Sequence, residues 1–135
     1  MYYAATEIVV VMPKRRVRAI SKNYTVLHLH SDLSNGITNI DSVTKYDDYI
    51  EKAKECGMAF SEHGSVFSWV NKKRHIEAAG MKYIHGEEFY VTETTAEKIK
   101  DNYHVCCYAK NYDGVLELNQ MSSNSFNRDD NHFYY

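Results

Sequence analysis

Cysteine is scarce in this chain. The three present, Cys56, Cys106 and Cys107, are odd in number and two are adjacent, which excludes a disulfide framework. No Cys-x-x-Cys pair occurs, so a cysteine-type zinc finger is excluded as well. A reducing, cytoplasmic setting fits best. Long hydrophobic runs are also missing. The apolar run Ile8-Val9-Val10-Val11 has no basic region before it. It is too short to cross a bilayer and is not a signal peptide, so it reads as a strand or a poorly placed tail. Neither sign of charge dominates: 16 Lys and Arg face 18 Asp and Glu, a net charge of −2. Nothing in that balance draws the whole chain to nucleic acid or membrane. A Walker-type loop, a dinucleotide-binding glycine fingerprint, a Ser-His-Asp pattern and a Pro-Cys-x-x-Cys deaminase signature are all absent. No internal repeat or low-complexity segment is evident.

What is present suits one domain, or part of one, of 135 residues. Tyrosine is frequent, with 12 copies against one Trp. Scattered as they are, these side chains read as half-exposed packing rather than a base-stacking surface. Lys14, Arg15, Arg16 and Arg18 form a basic cluster. It is either a solvated connector or a phosphate contact to nucleic acid. The first strand is expected over Tyr24 to Leu29, followed by a turn at Asn35-Gly36. Tyr46, Tyr49, Ile50, Ala53 and Cys56 recur at helical spacing, with Gly57 as the stop. Met58 to Ser61 form a short strand. A second helix is expected over Val66 to Ala79, with Val66, Trp69, Val70 and Ile76 inward. Met81 to Ile84 and Glu88 to Thr92 frame a third strand. His104 to Ala109 lacks polar alternation, as a buried parallel strand would. Gly114 to Ser122 reads as helix. The alternation predicts an α/β domain with a mostly parallel sheet. Catalytic groups in such folds gather at strand C-termini.

His28 and His30 are separated by one residue near the end of the first strand. Alternate side chains of a strand share a face, so both imidazoles are expected to project together, opposite Thr25, Leu27 and Leu29. Such a pair can grip one metal ion or two adjacent ions. Glu62-His63-Gly64 follows the next strand, and the glycine permits a sharp turn that presents His63 at the rim. Glu87-Glu88 precedes another apolar run, and His104 opens the last strand. Each has a plainer reading. Glu62 suits a helix N-terminus, Glu88 an ordinary solvent-facing strand position, and His104 a hydrogen-bonded core histidine. His75, within Lys72-Lys73-Arg74-His75, reads as solvated surface. His85 and His132 remain unassigned. Collectively, mixed imidazole and carboxylate groups at strand ends suit Zn²⁺, Mn²⁺ or Fe. Two or three such ions favour hydrolysis of a phosphate ester.

The strings His28-Leu29-His30-Ser31-Asp32, Ser61-Glu62-His63-Gly64, Gly86-Glu87-Glu88-Phe89-Tyr90-Val91-Thr92, and Tyr103-His104-Val105 with Ala109-Lys110-Asn111 stand in this order. Together they resemble the polymerase and histidinol phosphatase (PHP) domain, in the branch at the N-terminus of the bacterial or phage DNA polymerase III alpha subunit. The resemblance runs from about Tyr24 to Ser123. It implies a distorted (β/α)₇ barrel carrying two or three divalent metal ions at the strand C-termini. The chain is then an α/β, partial (β/α)₇ barrel that stops after about its first half, with a basic extension over 1–23 and the partial domain over 24–135. His28, His30, His63, Glu88 and His104 match the family's metal ligands. Asp41 stands in for an acidic ligand that has no clean equivalent. Glu62 replaces the family's more usual Asp. The loop before Ser61 is about three residues shorter than the pattern, which should strain the placement of His63. The family's later ligands lie beyond Tyr135, so weak metal binding and little hydrolysis are expected of this chain. The resemblance implies a metal-dependent phosphoesterase in the intact parent, a 3′–5′ exonuclease proofreading for a replicative polymerase. Alternatives are a catalytically inactive metal-binding scaffold and a stand-alone phosphatase of the histidinol-phosphate type. Implied partners are DNA through the parent polymerase and other replisome subunits, with no membrane. Open sheet edges invite self-association.

Overall fold

The computed structural model describes residues 8–11, 25–35, 42–53, 58–94 and 103–126. Lys14, Arg15, Arg16, Arg18, Asp41, Cys56, Gly57 and His132 lie outside the described residues. Strands β1 (Ile8–Val11), β2 (Phe60–His63), β3 (His85–Val91) and β4 (Tyr103–Ala109) form one sheet in the order β1-β4-β3-β2. The Ile8–Val11 run is therefore a strand. β2 and β3 are parallel, with Glu62 opposite Glu87 and His63 opposite Glu88. β4 is antiparallel to β3, and β1 is antiparallel to β4. The sheet is mixed, which corrects the expectation of a parallel His104–Ala109 strand. A parallel return needs a crossover of about a dozen or more residues, usually helical. Positions 92–102 between β3 and β4 are too few for one.

The expected first strand is also different. Residues 25–30 form no regular strand; one parallel bridge joins Val26 to Met58, two residues before β2. Ala59 N donates to the Val26 carbonyl at 2.7 Å and Ser61 N to the Leu29 carbonyl at 3.0 Å. Donors two residues apart thus meet acceptors three apart, and the segment carries one extra residue, as a bulge does. The extra residue parts the two leucines: Leu27 packs near Ala59 and Tyr108, Leu29 near Phe60 and Ile76, and both histidines reach Glu88.

Helix α1 (Tyr46–Ala53) follows the expected stripe, burying Ile50 and Ala53 with Tyr46 and Tyr49 alongside. Asp47 and Asp48 lie in its first turn, where the helix dipole favours negative charge. Helix α2 (Trp69–Ala78) is the crossover between the parallel strands β2 and β3. It begins three residues later than the apolar pattern suggests, and its inward residues are Lys72 and Ile76. Val70, expected inward, is 50% exposed, and Lys72, despite its charge, is 2% exposed. Helix α3 (Tyr112–Ser125) is capped by Asn111, whose side chain accepts from Gly114 N at 3.0 Å. Its Leu118 closes a cluster with Phe89 and Cys107.

β3 is buried on both faces from His85 to Tyr90. Period-two alternation sends Phe89 and Glu87 toward α3, and Gly86, Glu88 and Tyr90 to the opposite face. On that face the sheet curls. The Tyr108 hydroxyl on β4 donates to the carbonyl of Leu27, in the segment beyond β2. The Tyr108 ring gets there by lying over Gly86, its register partner. A Cβ on Gly86 would come within 2.5 Å of that ring and 3.1 Å of the Phe60 carbonyl.

Candidate metal centre

Glu88 is the hub of the concave face. Its carboxylate is 2% exposed and meets four imidazoles. Oε2 lies 2.6 Å from His30 Nε2, 2.9 Å from His28 Nε2 and 3.3 Å from His63 Nδ1. Oε1 lies 2.8 Å from His104 Nδ1. Parallel pairing of β2 sets His63 beside Glu88. Antiparallel pairing of β4 brings His104 opposite Tyr90, diagonal to Glu88. The bulged 25–30 segment delivers His28 and His30, whose Nε2 atoms stand 3.1 Å apart. The Tyr90 hydroxyl is 3.0 Å from His63 Nδ1, and the two rings stack at 5.7 Å. His63 sits in regular strand pairing, and Ser68 is the sole non-glycine at positive φ among the described residues.

Burial alone would raise the Glu88 pKa. Hydrogen bonds from His30 and His28, with the charges of His63 and His28, overcome it and hold the carboxyl at about 2. The donor atoms of His30, His63 and Glu88 lie within 4.8 Å of one another, as do those of His28, Glu88 and Cys106. Two ring nitrogens and a carboxylate are the donor chemistry that Zn²⁺, Mn²⁺ and Fe accept, so these residues fit a divalent cation. His28 and His104 are about half exposed, with side chains 52% and 48% accessible. A cleft of about 310 Å³ lined by His28, Leu29, His30, Ser42 and Tyr49 opens on the cluster.

Glu62 has a different task. Alternation along β2 turns it away from the imidazoles, and it is 1% exposed. Ser31 N donates to it at 2.9 Å, Ser34 Oγ at 2.5 Å and Lys72 Nζ at 3.0 Å, and the Ser31 hydroxyl donates as well. Burial opposes its charge, but Lys72 and the two serines prevail and keep its pKa below the ordinary value. Lys72 is also lowered, because burial outweighs the nearby Glu62 charge. The pair therefore ties α2 and β2 to the turn that follows the two histidines. Asn35 holds the far side of that turn, bonding the Ser42 carbonyl at 2.6 Å and Ser42 N at 3.2 Å.

The remaining acid and histidines lie away from the cluster. Glu87 is fully buried beneath α3, and neither oxygen has a hydrogen-bond partner among the described residues. Burial pushes its pKa to about 8, moderated by the neighbouring Ser122. His85 is buried between the Tyr83 hydroxyl at 2.7 Å and Asn119 Oδ1 at 3.0 Å, and burial depresses it to about 4. His75 is on the surface as expected and pairs with Asp47 at 2.6 Å.

Three features escape the sequence reading. Lys72 stands three residues after Trp69 and four before Ile76, so helical spacing marks it as inward despite its charge. Cys106 stands two after His104, so strand spacing places both on one face. Tyr90 stands two after Glu88 for the same reason.

A family model described as the PHP domain matches residues 27–135. DNA polymerase III subunit alpha of Borreliella burgdorferi is 34% identical over 109 residues, covering 74% of this chain and 9% of that protein. Its namesake in Aquifex aeolicus is 31% identical over 130 residues, 86% of this chain and 11% of that protein. In Helicobacter pylori the figures are 29% over 112 residues, 78% and 9%. The chain thus spans about a tenth of the length of these curated relatives. No helix among the described residues is long and apolar enough to cross a membrane. With a matching model over most of its length and relatives that share one name, the chain belongs to the PHP domain family.

Proposed function

We propose that His28, His30, His63, Glu88 and His104 hold divalent cations, and that the intact parent is a DNA polymerase III alpha-like protein whose PHP domain hydrolyses phosphate esters, as a 3′–5′ exonuclease on DNA. The observation that carries this reading is the convergence of four imidazoles on one buried carboxylate. Bound cations would supply Lewis-acid polarisation of a phosphoryl oxygen and a water of lowered pKa. The chain's own residues do the rest. Glu88 contributes fixed negative charge that survives to low pH. The Tyr90 hydroxyl holds the His63 ring at Nδ1, the nitrogen that also faces Glu88. His28 and His104 lie at the solvent rim, where a phosphate group can approach. The cleft beside His28 and His30 is wide enough for a sugar-phosphate end.

A second reading, a cation-stabilised scaffold without hydrolysis, draws on Glu62. The carboxylate beside His63 is fully engaged by Ser31, Ser34 and Lys72 and points away from the cluster. Elemental analysis after purification in metal-free buffer tests the shared premise. About one or more ions per chain, lost in His28→Ala/His30→Ala, supports a metal centre. No ion in either protein sinks both readings. Release of nucleotides from a 3′ end with Mn²⁺ or Zn²⁺, compared between the chain and the double variant, then separates hydrolysis from scaffolding.

A further inference from the structure

We propose that the Cys106 thiolate is itself a metal ligand, forming with His28 and Glu88 a cation position that selects Zn²⁺ over Mn²⁺ and Mg²⁺. The inference rests on the proposed metal centre and adds a ligand to it. Cys106 is the direct cross-strand partner of Glu88 in the β3–β4 register. It shares a face of β4 with His104, two residues away. Its sulfur, a nitrogen of His28 and an oxygen of Glu88 lie within 4.8 Å of one another. Zn–S and Zn–N bonds of about 2.3 and 2.0–2.1 Å bring such atoms onto one cation with small side-chain rotations.

Cys107 supplies the contrast. It faces the opposite side of β4, packs against Phe89 and Leu118, and has Glu87 rather than Glu88 across from it. A thiol on that side is an ordinary small core residue. Cys106 is also buried, at 8% exposure, and packs beside Ala59 and Tyr108, but it faces the Glu88 carboxylate and Ser61 as well. The two donor sets share Glu88. One consists of His30, His63 and Glu88, all nitrogen and oxygen; the other adds sulfur. Carboxylate and thiolate together neutralise a divalent cation, and the thiol proton leaves to bulk solvent as the ion binds. Soft thiolate ligation favours zinc-like ions, whereas magnesium and manganese prefer oxygen.

Cobalt(II) is the probe. Titrated into the chain under reducing conditions, it should give visible ligand-field bands together with a near-ultraviolet sulfur-to-cobalt charge-transfer band. Cys106→Ser should lose the charge-transfer band, keep the visible bands, and bind about tenfold or more weakly. Cys107→Ser should retain both. Zinc-edge X-ray absorption on the unsubstituted chain needs no variant and should show one sulfur at about 2.3 Å. Visible bands without charge transfer, or charge transfer that persists in Cys106→Ser, would overturn the cysteine assignment and leave the imidazole centre standing. No cobalt bands of either kind, with no bound zinc, would overturn both.

Discussion

Glu62 and Lys72 face each other almost out of contact with water, and either alone would be a stranded charge. Breaking one side of such a buried pair typically costs about 3–5 kcal/mol, whereas replacing both sides is often close to neutral. Urea unfolding of Glu62→Gln, Lys72→Met and the double variant should therefore show each single change losing about 3 kcal/mol or more and the double losing much less. Strictly additive losses would show that the contact is unimportant. Glu87 offers a pH test. Its folded pKa of about 8 is above the ordinary 4.5. The folded state therefore holds a proton that the unfolded chain releases, and stability falls as pH rises from the lower value through the upper one. Melting temperatures of the unsubstituted chain should drop more between about pH 5 and pH 8.5 than those of Glu87→Gln, which has no such proton. At this scale the resemblance to the PHP family singled out His28, His30, His63, Glu88 and His104, and the structure brings these five side chains together. Lys72 and Cys106 were hidden for opposite reasons: charge suggested solvent for one, and the apolar company of β4 suggested core for the other.

Helix α2 is bounded by two residues in left-handed backbone. Ser68 at its start has φ 58°, makes no side-chain cap bond to the helix, and is not glycine. Gly80 just past its end has φ 81° and open space around its missing Cβ. These ends predict opposite signs. Ser68→Gly should relieve the strain and stabilise by up to about 1 kcal/mol, while Gly80→Ala should cost about 1 kcal/mol with no clash involved. Chemical denaturation of both variants checks the pair, and equal signs would contradict the backbone argument. Element existence and type were largely readable, because the apolar stripes in α1 and α3 recur at helical spacing and β4 is a short, nearly continuous apolar run. Strand direction was not. A buried antiparallel strand has the same apolar look as a parallel one, and only the short β3–β4 connection separates them. Nor was the bulge at residues 26–29 readable, since an extra residue leaves no mark in a hydrophobic pattern.

For the molecule as a whole, a bound cation would join β2, β3, β4 and the 25–30 segment at one point. A ligand that binds only the folded state stabilises it by about 2.7 kcal/mol at a free concentration one hundred times its Kd. Thermal melts should therefore rise by several degrees with excess Zn²⁺ and fall back with a chelator. The His28→Ala/His30→Ala variant should show neither change. The three helices, the mixed sheet and the curl at Tyr108 all depend on β3 lying in one register. Glu87 and Glu88 are chemically identical neighbours, so the carboxylate alone cannot tell the histidines which one to receive. A one-residue slip would exchange the dry acid beneath α3 for the anion among the imidazoles. Gly86 removes that ambiguity, because its bare Cα is the only seat on the inward face of β3 that leaves room for the Tyr108 ring. In Gly86→Ala, overpacking should cost about 1–3 kcal/mol and metal content should fall with it. A missing methyl group thus works as an index mark, naming which of two identical acids meets the imidazoles.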